Sequence, residues 1–553
     1  MKPCQHGRSA CKRAFLLWLA SVCVIQCSGA PFALKKQVDR AWRQDRQPTN
    51  LLGLSDMVRS YLHDAGDMHR YYAYANAMLG KPHYAYYVRS TTSWKREFLT
   101  GRQTHHNETA LRDPKAPQVP YRDYLVEYPP GAFLALLPAA WVLPPGDYGD
   151  DYVRLFVALM IACLGAAFLG VLRLRPWLSA EQAAGLSPKP SEPAYPPAQI
   201  LQPHGALDPR PSALWLWAAL GCFGLGTCLA HRFDPVVALL LVGMSWAALA
   251  LRPVWFASLF SLAVVCKGVP LLVAPLWFLL FYGQTQAWPR NRRVALFGQI
   301  VLCGVLWGLL FAIPVFCTSG LALFDAFRYH GERPLQLEST GAAVLGVLQL
   351  FYPGLLLSES GYGSSNVRLI EPDLFWLEQL FLRLQGPVVC LGLLGAMAKL
   401  LRGMRRWSQA AFAEQTLRGV CLVLVLYMVS GRVFSPQYLT WILPLGLFLS
   451  LRVNAWLTSL FVVILVLSQL LWQVIGLAGL DVWKMSLLLS RNVGLALWAL
   501  ALFCSPTEQT SRPASPKPPT GPPPQAPPTG PPPQAQRRTK RCAQWVDRGM
   551  RAG

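Results

Sequence analysis

Charge is what this sequence has least of. Only 14% of its 553 residues are Asp, Glu, Lys or Arg, against about 25% in soluble globular domains. With a 53% hydrophobic share, that shortage excludes an ordinary soluble domain. Acid is scarcer than base, 28 residues against 51. The fourteen cysteines include no Cys-x-x-Cys pair, and none has a histidine at metal-ligand spacing. A zinc site is therefore not indicated, and the cysteines read as small buried hydrophobes.

What is present instead is a series of apolar runs of roughly 17–25 residues, the length that crosses a bilayer as a helix. Twenty Trp and nineteen Tyr suit a chain with many membrane–water boundaries. The net charge of +23 is not spread as a nucleic-acid footprint. Basic residues cluster at the ends of apolar runs: Arg173 and Arg175, residues 290–293, 399–406 and 537–541. Clusters at alternate helix ends follow the positive-inside rule, so the expected partners are membrane lipids and not nucleic acid.

The runs predict an all-α polytopic bundle of about twelve transmembrane helices with both termini inside. Residues 1–30 form a basic head and an apolar stretch, either a first spanning helix or a signal peptide. Residues 31–151 form an outer loop in which 131–143, short and broken by Pro138, read as an interfacial helix, because 13 residues at about 1.5 Å each cannot cross about 30 Å of hydrocarbon. Residues 152–317 hold spans around a Pro- and Ala-rich cytoplasmic linker at 176–211. Within them 254–282 is a helical hairpin broken at Lys267-Gly268-Val269-Pro270. Residues 318–375 form a second outer loop with an interfacial apolar piece at 342–357. Residues 376–504 carry the C-terminal spans, one of them over 419–430. The tail, 505–553, is Pro-rich and then basic, which predicts a disordered cytoplasmic arm able to dock a protein partner.

A charge at bilayer depth costs about 2.5–3.5 kcal/mol on insertion scales, so the polar clusters between runs are where chemistry is expected. The first is Gly66-Asp67-Met68-His69-Arg70-Tyr71-Tyr72, continuing to Leu79-Gly80-Lys81-Pro82, in which a carboxylate just above the bilayer suits general-base work. The second, Tyr121-Arg122-Asp123-Tyr124 to Glu127-Tyr128-Pro129-Pro130, interleaves aromatic faces and acids in the manner that suits sugar rings, or else anchors the interface. Lys267 would hold a phosphate as a point charge or snorkel to the surface. The fourth, His330-Gly331-Glu332-Arg333-Pro334-Leu335-Gln336-Leu337-Glu338-Ser339, offers a guanidinium fork for phosphate and a histidine to orient or protonate a leaving oxygen. The fifth joins Arg432 to Phe434-Ser435-Pro436-Gln437-Tyr438 in an outer turn.

Five of these elements in this order resemble the glycosyltransferase family 87 type, polyprenol-phosphate-mannose-dependent mannosyltransferases of the GT-C fold, over roughly residues 50–450: Gly-Asp…Leu-Gly-Lys-Pro, Tyr-Arg-Asp-Tyr…Glu-Tyr-Pro-Pro, Lys-Gly-x-Pro, Tyr-His…Arg-Pro-Leu-Gln-Leu-Glu-Ser and Phe-Ser-Pro-Gln-Tyr-Leu-x-Trp. The resemblance implies inverting transfer of a hexose from a polyprenyl-phosphate sugar to a lipid or glycan acceptor on the outer face of a bacterial inner membrane. It implies Asp67 as catalytic base, with Asp64 as its rival. Lys267, His330, Arg333 and Arg432 fall where donor-phosphate contacts are expected. Asp123, Glu127, Tyr128, Gln336, Glu338, Gln437 and Tyr438 complete the substrate-binding set. No cofactor is implied beyond the donor, and a phosphate-linked lipid does not demand a metal. One departure is the insertion at 85–119, between Lys-Pro-His-Tyr and Tyr-Arg-Asp-Tyr, which would reshape acceptor selection.

Overall fold

In a computed structural model of the chain, the described residues are chiefly 68–81, 119–122, 128–144, 149–178, 211–226, 229–322, 333–361, 364–471 and 480–507, with a few shorter pieces between them. The first span or signal peptide, the linker proper and the Pro-rich tail lie outside the described residues.

Fourteen α-helices account for most of this structure. Three are short: α1 (Met68–Leu79), α2 (Phe133–Val142) and α9 (Thr340–Leu348). The other eleven are α3 (Gly149–Leu178), α4 (Pro211–Leu225), α5 (Asp234–Leu249), α6 (Pro253–Cys266), α7 (Ala274–Gln284), α8 (Arg290–Ser319), α10 (Phe375–Gly403), α11 (Gln409–Ser430), α12 (Leu439–Val453), α13 (Ala455–Gln469) and α14 (Val482–Cys504). Five of them, α3, α8, α10, α11 and α14, are long and apolar enough to cross a membrane. The others run 11–16 residues, at most about 24 Å at 1.5 Å per residue. Among the described residues, five of the twelve expected spans have that length. In α11 83% of the most apolar stretch is buried, against 6% in α8 and 11% in α10. This puts α11 at the centre and leaves α8 and α10 as peripheral helices with an apolar outer face.

One end of the bundle is basic and is tied by buried cations. Arg418 and Arg452 both pair with Glu414. Arg418 also donates to the Ser505 carbonyl (2.8 Å), and Arg452 to that of Leu178 (2.8 Å). Lys399 donates to the carbonyl of Phe503. Cations on the last carbonyls of α3 and α14 satisfy groups the helices leave open and favour the dipole. This network corrects one sequence expectation: α11 begins at Gln409, not 419, because its charged first turns are paired inside the protein rather than solvated in a loop.

At the opposite end the connections carry small sheets. Strands β1 (His83–Tyr84) and β2 (Leu111–Arg112) pair antiparallel, so residues 111–112 lie beside the residues just ahead of the insertion. Strands β3 (Leu335–Gln336), β4 (Leu356–Gly361) and β5 (Ser364–Leu369) form an antiparallel sheet in the order β3–β5–β4, with Gln336 opposite Asn366 and Ser358 opposite Val367. These strands are short additions to a fold that is otherwise helical, as expected. The apolar piece at 342–357 is not one helix: α9 is N-capped by the Ser339 hydroxyl, which accepts from the Ala342 amide (3.1 Å), and it ends at Leu348. Pro353 and Gly354, the latter at φ +80°, then turn the chain into the β4–β5 hairpin. A separate apolar core of Leu335, Leu337, Leu345, Val367, Leu369, Met485 and Leu488 fastens this sheet and α9 to the start of α14.

Candidate functional site

The site lies at the end away from Glu414, Arg418 and Arg452, where α2, α5 and α12 begin and α6 and α8 finish. Its floor is aromatic. Tyr71, in the first turn of α1, meets Tyr128 edge-on at 5.6 Å and Phe233 at 6.0 Å, and Tyr128 meets Phe233 at 5.2 Å. Hydroxyls fasten the same layer: Tyr121 donates to the Tyr128 carbonyl (2.6 Å), Tyr124 to that of Tyr74 (3.0 Å) and Tyr152 to that of Leu136 (3.2 Å). Burial, with Tyr74 beside it, pushes the Tyr121 phenol well above its ordinary value.

Two motifs from the sequence build this layer. Gly80 (φ +66°) ends α1, with the Lys81 amide reaching back to Asn76 (2.9 Å) and its own to Ala77 (3.3 Å), a Schellman turn. The Lys81 ammonium then donates to the carbonyls of Ala140 (2.6 Å) and Leu143 (2.5 Å) at the end of α2, and burial lowers its pKa. Leu-Gly-Lys thus clamps α2. Pro129 and Pro130 start the turn into α2, and Gly131 lies against the backbone of Val265 and Cys266, with the Cys266 thiol donating to its carbonyl (3.2 Å).

Directly after Cys266 the chain leaves the helix. Lys267 is extended (φ −161°, ψ 105°), and a 3-10 turn over Val269–Val273 leads into α7. Its ammonium turns inward to Asp234 Oδ1 (2.6 Å) and stands 4.9 Å from the ring centres of Phe233, Tyr438 and Trp441. Trp441 donates its indole N–H to the same Asp234 oxygen. Asp234, the first residue of α5, is fully buried. Beside it Arg232 donates to the Gln437 side-chain oxygen.

A second set of polar groups comes from the β3 side. Arg333 donates to the Ser364 hydroxyl (2.7 Å) and Gln336 to the Glu338 carboxylate (2.7 Å). Arg491, buried within α14, lies 4.3 Å from the Phe434 ring centre and donates to the Glu338 carbonyl (3.1 Å), which Asn492 also approaches (3.4 Å). The two sets meet near Tyr438, whose ring faces Lys267 and stacks on Trp441 at 4.6 Å and whose phenol is pushed up by burial and Tyr427, with Asp234 and Glu338 adding to the rise and Arg333 opposing it.

Of the residues expected from sequence, Lys267, Arg333, Gln336, Glu338, Gln437 and Tyr438 come together in this region. Tyr128 belongs to the floor and packs as core. Lys267 neither snorkels outward nor stands alone; it is paired with Asp234. Arg432 gives its guanidinium to main-chain carbonyls of Gly331, Arg333 (3.3 Å) and Leu382 (3.2 Å), and burial pulls its pKa down; it shapes the loop that carries Arg333. His330 is exposed. Asp64, Asp67, Asp123 and Glu127 lie outside the described residues, although α1 starts at the residue after Asp67. Sequence reading missed Asp234, Arg232, Arg491 and Asn492, and it had Trp441 only as the last residue of the fifth element, without a role. The one local signal was an Arg-Phe-Asp-Pro turn ahead of an apolar run. Among the described residues no three His, Cys, Asp or Glu side chains are grouped to hold a metal ion.

No family model matches this chain, and no curated protein matches it.

Proposed function

We propose that the chain is an integral-membrane inverting glycosyltransferase. It transfers a hexose, with mannose the first to test, from a polyprenyl-phosphate sugar to a lipid or glycan acceptor at the outer face of a bacterial inner membrane. The observation that carries this reading is the gathering of Lys267, Asp234, Arg333, Glu338 and Tyr438 from four distant segments at the end of the bundle opposite the basic one. That end faces outward if the positive-inside rule holds.

In the proposed reaction Asp67 accepts the acceptor's hydroxyl proton as its oxygen attacks the anomeric carbon. The bond from that carbon to the phosphate oxygen breaks, and polyprenyl phosphate leaves with the bonding pair. Lys267 and Arg333 meet the negative charge that grows on the phosphate. Asp67 stands one residue ahead of α1, whose first turn packs Tyr71 on Phe233, the ring that also faces Lys267.

A polytopic transporter or flippase of lipid-linked sugars is the rival. Transporters bind near the bilayer midplane, whereas these groups lie at helix ends: Asp234 opens α5, Lys267 follows α6, and Tyr438 precedes α12. Purified protein in proteoliposomes with polyprenyl-phosphate mannose and a mixed lipid acceptor separates the two. Glycosylated product is expected, and its loss by about 10² or more in Asp67→Asn follows from removing a general base. Relocation of the donor without consumption would overturn the enzyme reading.

A further inference from the structure

Asp234 is the most deeply buried acid of the site, and no sequence motif marks it. It has no exposed surface, and its Oδ2 has no hydrogen-bond partner among the described residues. Its other oxygen carries two contacts, Lys267 and Trp441. The ammonium is thereby held at an equal distance from three rings, two of which, Tyr438 and Trp441, stack on each other.

Stability is a poor reason for such an arrangement. A buried ion pair returns about as much as its desolvation costs, and an apolar residue among three aromatic rings would do as well or better. What an apolar residue cannot supply is an oriented cation with an outlet. The Lys267 side chain is 13% exposed while that of Asp234 is fully enclosed. One ammonium N–H is held from below, which leaves two more to point elsewhere. Asp234 itself sits in the first turn of α5, where the helix dipole favours a carboxylate.

We propose that Asp234 is a positioning residue for a lipid phosphate: it fixes the Lys267 ammonium inside the Phe233–Tyr438–Trp441 cage so that the remaining donors face an anionic headgroup. This rests on the donor-phosphate reading above and adds to it the residue through which Lys267 is aimed.

The test uses the full chain in nanodiscs titrated with farnesyl phosphate, a short polyprenyl phosphate without sugar. Wild type binds. Asp234→Asn and Lys267→Gln each weaken binding about tenfold, the equivalent of one charge-assisted contact, and Asp234→Glu stays within about threefold of wild type. Removing one partner leaves a buried charge, so the single variants lose resistance to SDS, and Asp234→Asn/Lys267→Gln regains it. The double variant binds no more weakly than Lys267→Gln alone, because Asp234 acts only through the lysine. A purely structural pair would instead give a double variant that binds like wild type. An Asp234→Asn variant with unchanged affinity overturns the proposal and leaves the enzyme reading standing; a double variant that binds like wild type overturns it and also takes Lys267 out of the donor-phosphate contacts, leaving them to Arg333. A double variant weaker than Lys267→Gln by the full Asp234→Asn factor shows independent action and also overturns it. Wild type that fails to bind farnesyl phosphate takes down the donor-phosphate reading and this inference together.

Discussion

Adding one methyl group at Gly131 should both loosen the fold and weaken ligand binding. A Cβ built on Gly131 would stand 2.5 Å from the Val265 carbonyl carbon and 2.6 Å from the Cys266 nitrogen, where about 3.5 Å or more is comfortable for carbon. The start of α2 and the end of α6 would have to separate by roughly 1 Å, and since both surfaces are main chain, no rotamer change relieves the clash. Overpacking of this kind costs about 1–3 kcal/mol, and a middle value of about 2 kcal/mol is a roughly 30-fold loss in the folded ratio. The displacement falls on the residue before Lys267, whose ammonium sits 4.9 Å from each of three ring centres, so affinity for lipid phosphate should drop as well. SDS-driven unfolding monitored by circular dichroism reads the first effect and farnesyl phosphate titration the second. Gly304→Ala is the control. It adds the same methyl in α8, where nothing lies within 4 Å, and should leave both readings unchanged. Gly131→Ala indistinguishable from Gly304→Ala in the two assays would refute the packing argument.

Two further outcomes follow from buried groups. Tyr121 stays protonated in the folded protein well above its ordinary pKa of 10.0, while in the unfolded chain it ionises near that value. The unfolded state therefore binds fewer protons above pH 10, and stability should fall there by up to about 1.4 kcal/mol per pH unit. Tyr121→Phe removes that part of the slope, as alkaline unfolding followed by phenolate absorbance would record; an unchanged slope counts against it. Arg491→Met removes the guanidinium from the Glu338 carbonyl, which keeps only the longer Asn492 contact, and takes a positive charge away from the Glu338 carboxylate. A loss of about 3 kcal/mol is expected, as for a broken buried charge contact, and an SDS midpoint equal to wild type would contradict it.

How far the sequence reveals this architecture depends on the range of the interactions involved. Helices with long apolar runs, such as α3 and α8, announce themselves, and so do local stops: Pro129-Pro130 ahead of α2, Gly80 after α1, and the break at Lys267-Gly268-Val269-Pro270. Each is decided within a few residues by backbone geometry. Pairings across long separations leave no such mark. Glu414 and Arg418 look like a solvated loop until Arg452 joins them. The strands at 356–361 and 364–369 have no clean alternation, because much of the hairpin is exposed and a single core at α14 holds it. In the candidate site the same division holds. Lys267 stands out as a charge in an apolar run, whereas Asp234 looks like turn chemistry because its partners lie 33 and 207 residues away.

The placement of charge also bears on why an outward-facing reaction is the better reading of this bundle. Inside hydrocarbon, a buried cation needs a partner from the protein itself, and at the basic end Glu414 and helix-end carbonyls serve Arg418 and Arg452, although Arg418 keeps its Nε without a partner among the described residues. Those contacts join the ends of α3, α11, α12 and α14 and have the character of struts. Around Tyr438 the pattern differs. Lys267 is held by a single carboxylate oxygen and aromatic faces, which bind a cation without exhausting its donors, and Asp234 keeps its buried Oδ2 without a partner among the described residues. Gln336 keeps a buried side-chain oxygen in the same condition. A buried polar group left open costs free energy, and such a cost concentrates where a ligand completes the set. The two ends thus differ in how their cations are held, by a carboxylate with carbonyls at one and by a single oxygen with aromatic faces at the other, and the proposed headgroup site would use the donors that the second arrangement leaves over.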